Sequence, residues 1–220
     1  MDIEEMVKAK EELKGMENRK DKIQDLVIEK YSGIAKGKTG GCVPSCCDGA
    51  TPLLTIQELG KALDYGEEDL LLGPGEANLG LGCGNPISMA ELKPGEVVLD
   101  LGSGAGFDAL LAAKRVGASG MVIGMDITPE MVDKAKANAK KLKISNADFR
   151  LGKIEELPVS DNSVDVVISN CVINLSPDKR AVFGEIYRSL KPGGRMVISD
   201  ILRSGEIPEE LRENPAAYTG

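Results

Sequence analysis

The sequence predicts a doubly wound α/β fold built on a parallel sheet, and three observations carry that prediction. From residue 97 onward, short apolar runs alternate with amphipathic segments of helical length, the pattern of βαβ units. The first run, Val97-Val98-Leu99-Asp100-Leu101, opens at once into Gly102-Ser103-Gly104-Ala105-Gly106. Only glycine bends that sharply while leaving room for a ligand against the backbone. Helix ends are also punctuated. Thr128-Pro129 caps and opens one helix, and Lys191-Pro192-Gly193-Gly194 stops another. Right-handed crossovers then cover the sheet, and ligands lie at the carboxyl ends of its strands.

The elements follow in order. Residues 1 to about 31 are rich in Lys and Glu, with Ile3, Met6, Leu13, Met16, Ile23, Leu26, Val27 and Tyr31 at roughly helical spacing. They read as one or two amphipathic helices, serving as a solvated face or lid. Residues 32–50 read as a loop, marked by Gly33, Gly37, Gly40, Gly41, Pro44 and Gly49, and holding Cys42, Cys46 and Cys47. Thr55 caps a short helix. Residues 73–86 form a second glycine-rich loop, with Cys83 inside it. Both loops precede the first strand and can fold over a ligand at its end. Strands are expected at about 97–101, 121–126, 147–151, 164–170 and 194–200, and helices at about 106–116, 129–141 and 178–190. The chain divides into an N-terminal extension, 1–94, and a sheet-forming core, 95–220.

Composition narrows the function. The net charge of -8 disfavours nucleic acid and anionic membrane, which need a basic face. No apolar run approaches the roughly 18 residues of a membrane span. The Met1-Asp2-Ile3-Glu4-Glu5 start has neither the basic nor the apolar region of a signal peptide. A cytoplasmic protein is therefore expected, with its five cysteines mostly reduced. The chain has no histidine, which excludes a Ser-His triad, a histidine base and histidine metal ligands. It has no tryptophan and few aromatics, so base-stacking platforms are not expected.

The glycine turn indicates the cofactor. Its spacing is G-x-G-x-G, not the G-x-G-x-x-G of nicotinamide dinucleotides. Asp100 beside it would repel a pyrophosphate and attract an ammonium group. The second strand ends in Asp126, where a ribose-binding carboxylate belongs. An ammonium end and a ribose end together suggest S-adenosylmethionine. The plainer reading is a strand-turn-helix with incidental acids.

Residues 95 to 203 resemble the class I S-adenosylmethionine-dependent methyltransferases. The resemblance rests on Val98–Gly106, on Gly124-Met125-Asp126, on Phe149–Pro158 and on Leu190–Gly194. It implies a Rossmann-like sheet. It also implies a cofactor held by Asp100, Gly102, Ser103, Gly104, Gly106, Asp126, Ile127, Met131, Ile154, Glu155 and Asn170. Two further segments, Ser169-Asn170-Cys171-Val172-Ile173-Asn174-Leu175 and Gly80-Leu81-Gly82-Cys83-Gly84-Asn85-Pro86, resemble the arsenite methyltransferases. In that family the matching cysteines bind trivalent arsenic, so Cys83 and Cys171 inherit that role. A further family cysteine matches either Cys42 or the Cys46-Cys47 pair. The implied substrate is arsenite or its thiol conjugate, and a glutathione- or thioredoxin-type thiol reductant regenerates the site. The chemistry agrees with the residues. Trivalent arsenic is soft and prefers thiolates. Its lone pair can attack a sulfonium methyl without a general base, which suits a chain without histidine.

Other readings remain beside this one. A quinone-type or other small-molecule C-methyltransferase explains the cofactor motifs but leaves the cysteines idle. A thiol-based arsenic-binding module would hold the cofactor without turnover. Cys171 alone could be a small buried hydrophobe. The Cys42, Cys46, Cys47 cluster could be a zinc or redox site, though it is short of four ligands. In the family, two more strands follow residue 203, and another cysteine follows the segment matching Glu210-Leu211-Arg212-Glu213. With the chain ending at Gly220, both are expected to be missing and the fifth strand to be an apolar edge.

Overall fold

The computed structural model describes residues 3–38, 55–71, 77–202 and 204–206, with side chains from residue 14 onward. Cys42, Cys46 and Cys47 lie outside the described residues. Helix α1, Ile3–Ala35, is a single helix of 33 residues. It ends where the sequence supplies a left-handed glycine. Gly37, at φ 69°, donates to Ile34 O, and Lys38 N donates back to Gly33 O. This pair of bonds satisfies carbonyls that the helix end would leave open. Ile23, Val27 and Ile34 are buried, whereas Met16, counted on the apolar face by spacing, is exposed. Helix α2, Ile56–Ala62, starts in a capping box between Thr55 and Glu58. Two short helices follow, α3 (Glu67–Leu71) and α4 (Pro86–Met89).

The sheet contains β1 (Val97–Leu101), β2 (Met121–Asp126), β3 (Ala147–Leu151), β4 (Val164–Asn170) and β5 (Leu190–Ser199). Its order is β3-β2-β1-β4-β5, and each described pairing is parallel. Helices α5 (Phe107–Val116), α6 (Pro129–Lys141) and α7 (Lys179–Ser189) make the crossovers. From β1 the chain adds strands toward one edge of the sheet and from β4 toward the other, and a crevice opens between these two strands at the carboxyl edge. Both faces are buried, as continuous apolar strands require. Val98, Val122, Val166 and Ile168 pack with Ala109, Leu110 and Val116 on one face. Leu99, Leu101, Met125 and Val167 pack with Val182 and Ile186 on the other. Residues ahead of the sheet share this core, since Tyr65, Leu70, Ile87 and Ala90 belong to the first cluster.

Two local expectations change. Lys191–Gly194 was expected to separate helix from strand, but β5 already starts at Leu190, directly after α7. The glycines instead absorb an irregularity, with Gly193 at φ 82° and a register shift against Val164–Val166. Thr128 does not cap α6 with its side chain. Asp126 Oδ1 accepts from the Thr128 N–H at 2.9 Å instead. Asp165 works at the far end of the sheet, where it accepts from Val97 N and pairs with Lys191. No helix among the described residues is long and apolar enough to cross a membrane.

Candidate active site

The glycine turn after β1 is shaped by its backbone. Gly102, Gly104 and Gly106 have φ of 65°, 52° and 92°, a region costly for other residues. A side chain at Gly102 would run into Val172. Gly104 faces open space, with nothing within 4 Å of a Cβ built there. Ser103 N donates to Met125 O at 2.8 Å, and Gly104 N donates to Asp126 Oδ2 at 2.9 Å. Asp126 therefore fixes the turn from the neighbouring strand while keeping a lone pair on each oxygen.

The turn forms one wall of a cavity. Of the residues predicted at the cofactor, Asp100, Gly102, Ser103, Gly104, Asp126, Ile127 and Asn170 line it, and so does Cys171. Val27 and Tyr31 of α1 and Leu59 of α2 close it from above. Two buried polar atoms at this wall, Asp100 Oδ2 and Ser103 Oγ, have no hydrogen-bond partner among the described residues. Burial pushes the Asp100 carboxyl well above the usual range, and the neighbouring Asp108 and Asp126 push it further. Burial also raises Asp126, against the amides of Thr128 and Gly104 that favour its charged form. The pocket is thus a set of crowded acids that a bound cation would relieve.

Four predicted contacts lie away from this cavity wall. Gly106 stands at the N-cap position of α5, where a Cβ would meet Phe149 and Ala135. Met131 is buried with Ile34, Ala35 and Ala105 under α1. Ile154 belongs to the core below the sheet. Glu155 accepts a hydrogen bond from Ser176.

Cys171 follows β4 at φ 58°, uncommon for a residue with a side chain. Its N–H donates to Ser199 O at 2.8 Å. Cys83 arrives from the loop before α4, with the two Cα atoms 5.8 Å apart. The structure joins them in a disulfide where reduced thiols were expected. The cause is local: the loop is fastened onto the end of β4, which brings the sulfurs within bonding reach.

Asn170 does the fastening. Its Oδ1 accepts from Cys83 N at 3.0 Å and from Gly84 N at 3.3 Å. Its Nδ2 donates to Gly84 O at 2.8 Å and to Asp108 Oδ2 at 2.9 Å. Tyr65 completes the cluster by donating to Asp108 Oδ1 at 2.7 Å. Burial raises the pKa values of both Asp108 and Tyr65, and the Asn170 and Tyr65 hydrogen bonds pull Asp108 partly back. Sequence reasoning missed Tyr65 and Asp108. The only local signal for Asp108 is an acid in the first turn of a helix, which reads as a dipole complement.

A parallel sheet in this order, with a G-x-G-x-G turn and acids ending β1 and β2, defines the Rossmann-like class I methyltransferase fold. Residues 92–220 match the family described as Methyltransferase domain, and the chain belongs to that family. It is 46% identical over 209 residues to an arsenite methyltransferase of Halobacterium salinarum, covering 91% of this chain and 52% of that protein. A crystal structure of an arsenic(III) S-adenosylmethionine methyltransferase from Chlamydomonas reinhardtii is similar, with 42% identity and a TM-score of 0.57. The match covers 76% of this chain and 55% of that one. A SAM-dependent methyltransferase from Aquifex aeolicus is 26% identical with a TM-score of 0.51, covering 71% of this chain and 80% of that one. The chain spans about half the length of the arsenite methyltransferases it matches.

Proposed function

We propose that the chain is an S-adenosylmethionine-dependent arsenite methyltransferase, with trivalent arsenic held by the thiolates of Cys83 and Cys171. The observation that carries this reading is the meeting of Cys83 with Cys171, which lines the cavity bounded by Asp100, the glycine turn and Asp126. The relatives named for this activity support it.

The donor set fits the cofactor. Asp100 Oδ2, buried and unpartnered, suits the amino-acid ammonium group. The remaining lone pairs of Asp126 suit the ribose hydroxyls. Gly102 and Gly104 let the ligand lie against the backbone, and Ile127 and Asn170 flank it. When bound, S-adenosylmethionine supplies a methyl group on a sulfonium, an electrophile that leaves as a neutral thioether. With it bound, the arsenic lone pair would form the As–C bond as the S–C bond broke, the electrons staying on sulfur. Positive charge would pass from sulfur to arsenic, and no proton would need a base. The chain contributes in-line positioning, with the sheet fixing one partner and the thiolates the other.

The disulfide cannot bind arsenic. A glutathione- or thioredoxin-type thiol first reduces it to two thiols and is itself oxidised. Each thiol then displaces one hydroxyl of arsenite as water. Methylation takes arsenic to the pentavalent state, so two electrons from the same class of reductant return it to the trivalent one. A cytoplasmic location follows from this need for reductant, and the net charge of -8 argues against nucleic acid as partner.

The test incubates the reduced chain with arsenite and methyl-labelled S-adenosylmethionine, then separates the arsenic species. Labelled methylarsenicals from wild type, absent with Cys171→Ser, are expected. Cofactor and arsenite binding with no methylated product would make the chain a binding module, and label transferred only to a quinone would replace the substrate.

A further inference from the structure

We propose that Asp108 is a positioning residue that, through Asn170 and Tyr65, holds the Cys83 backbone against Cys171. The proposal rests on the reading of these cysteines as the arsenic thiolates for its purpose, though not for its geometry.

Asp108 is a buried acid that the methyl-transfer step does not use. Each of its oxygens has one donor, Tyr65 OH on Oδ1 and Asn170 Nδ2 on Oδ2. An ionised carboxylate only accepts, so it fixes which end of the Asn170 amide faces it. With Nδ2 on Asp108, Oδ1 must point toward the N–H groups of Cys83 and Gly84. A flipped amide would set its NH2 against those donors. Tyr65 OH, its one hydrogen given to Asp108, lies 3.2 Å from Asn170 Nδ2 as a further acceptor, so the carboxylate and the phenol favour the same orientation of the amide that grips the loop.

The glycines beside Cys83 let the loop lie flush. A Cβ at Gly82 would fall 2.6 Å from Asn170 Nδ2, and one at Gly84 would overlap the Ser199 side chain. Reduction of the disulfide removes the covalent link between loop and strand, but none of these hydrogen bonds. The clasp therefore keeps the two thiols adjacent in the state that must capture arsenic. A preorganised dithiol binds a chelated ion without the entropy of gathering its ligands.

The test is the redox equilibrium of the Cys83–Cys171 pair in glutathione buffers, read by alkylation and peptide mass so that other cysteines do not contribute. Asp108→Asn and Tyr65→Phe should each lower the effective molarity of the pair by about tenfold, the scale of a lost hydrogen bond to a charged group. A role in general stability alone would lower the melting temperature and leave this equilibrium in place. If Asp108→Asn does not fold, Tyr65→Phe carries the test. Constants within about twofold of wild type, below the cost of one hydrogen bond, would overturn the proposal. Arsenite titrated onto reduced wild type keeps the two readings separate. A shifted equilibrium with no arsenite binding would leave the clasp standing and remove the arsenite reading.

Discussion

Two loops meet at the carboxyl edge of this sheet, and they are held in opposite ways. The Gly102–Gly106 turn is fixed mainly through its own backbone, with left-handed glycines and N–H hydrogen bonds to Met125 O and to the Asp126 carboxylate on the adjacent strand. The Gly80–Gly84 loop has no regular structure and is fixed by side chains remote in sequence. Asn170, 87 residues beyond Cys83, holds it and is itself oriented by Asp108. Both are vulnerable to an added Cβ, at Gly102 in the turn and at Gly82 and Gly84 in the loop. The loop held by side chains is vulnerable also to a single lost acceptor.

The largest expected effect breaks the first loop. Gly102→Ala combines about 1–2 kcal/mol of left-handed strain with about 1–3 kcal/mol of overpacking against Val172. Denaturant unfolding should show a loss of that order, and cofactor binding should fall with it. Wild-type stability would mean that the turn can relax. Next, Asp126→Ala should weaken S-adenosylmethionine binding by about 1–3 kcal/mol, by loss of hydrogen bonds to a charged group. Unchanged affinity in calorimetry would remove Asp126 from the ribose role.

A pH series sharpens the comparison further. Asp100 is raised above the ordinary carboxylate value, chiefly by burial. An acid raised on folding contributes stability at pH below its unfolded value, and that contribution is lost as the pH climbs through the folded one. A bound ammonium reverses the preference by favouring the carboxylate. Cofactor affinity should therefore fall as the pH drops through the raised Asp100 pKa, by at most about tenfold per pH unit for one proton. Binding in that window should release a proton, detected as a buffer-dependent enthalpy. Asp100→Asn should flatten both dependences, and a pH dependence unchanged in that variant would assign the proton elsewhere.

The smallest effect is a control remote from both loops. Arg195 bonds Glu96 and the carbonyls of Ala90 and Glu91, tying β5 to the segment before β1. Arg195→Ala should cost about 1 kcal/mol, the scale of a partly exposed ion pair. Cofactor affinity and the thiol equilibrium should both stay in place. A change in either would mean that the two loops report global stability.

This contrast explains what could be read in the sequence. The β1–α5 turn is contiguous, so the glycine spacing singled out Asp100, Gly102 and Gly104 and the end of the next strand singled out Asp126, and all four line the cavity. The sheet was likewise legible because both-face burial leaves unbroken apolar strands. Cys83 and Cys171 were found through the segments around them, but their bonding was not, since it depends on how a loop docks. Tyr65 and Asp108 were invisible because a tyrosine after a short helix and an acid in a first helical turn have ordinary local explanations. Their partner lies on β4, and only the fold brings the three together. The start of β5 was misplaced for a related reason: Pro192 and the glycines read as a stop, while pairing with β4 carries the strand through them.

The central claim is that two thiolates at this cavity hold trivalent arsenic. Native mass spectrometry of the reduced chain with S-adenosylmethionine and arsenite tests it most directly. Each sulfur bonded to arsenic costs one proton, so the mass of the adduct counts thiolates. Wild type should form an adduct with at least two sulfurs, and Cys83→Ser and Cys171→Ser should each lose it while still binding the cofactor. An adduct of wild-type strength in both variants, or none in wild type, would contradict the account.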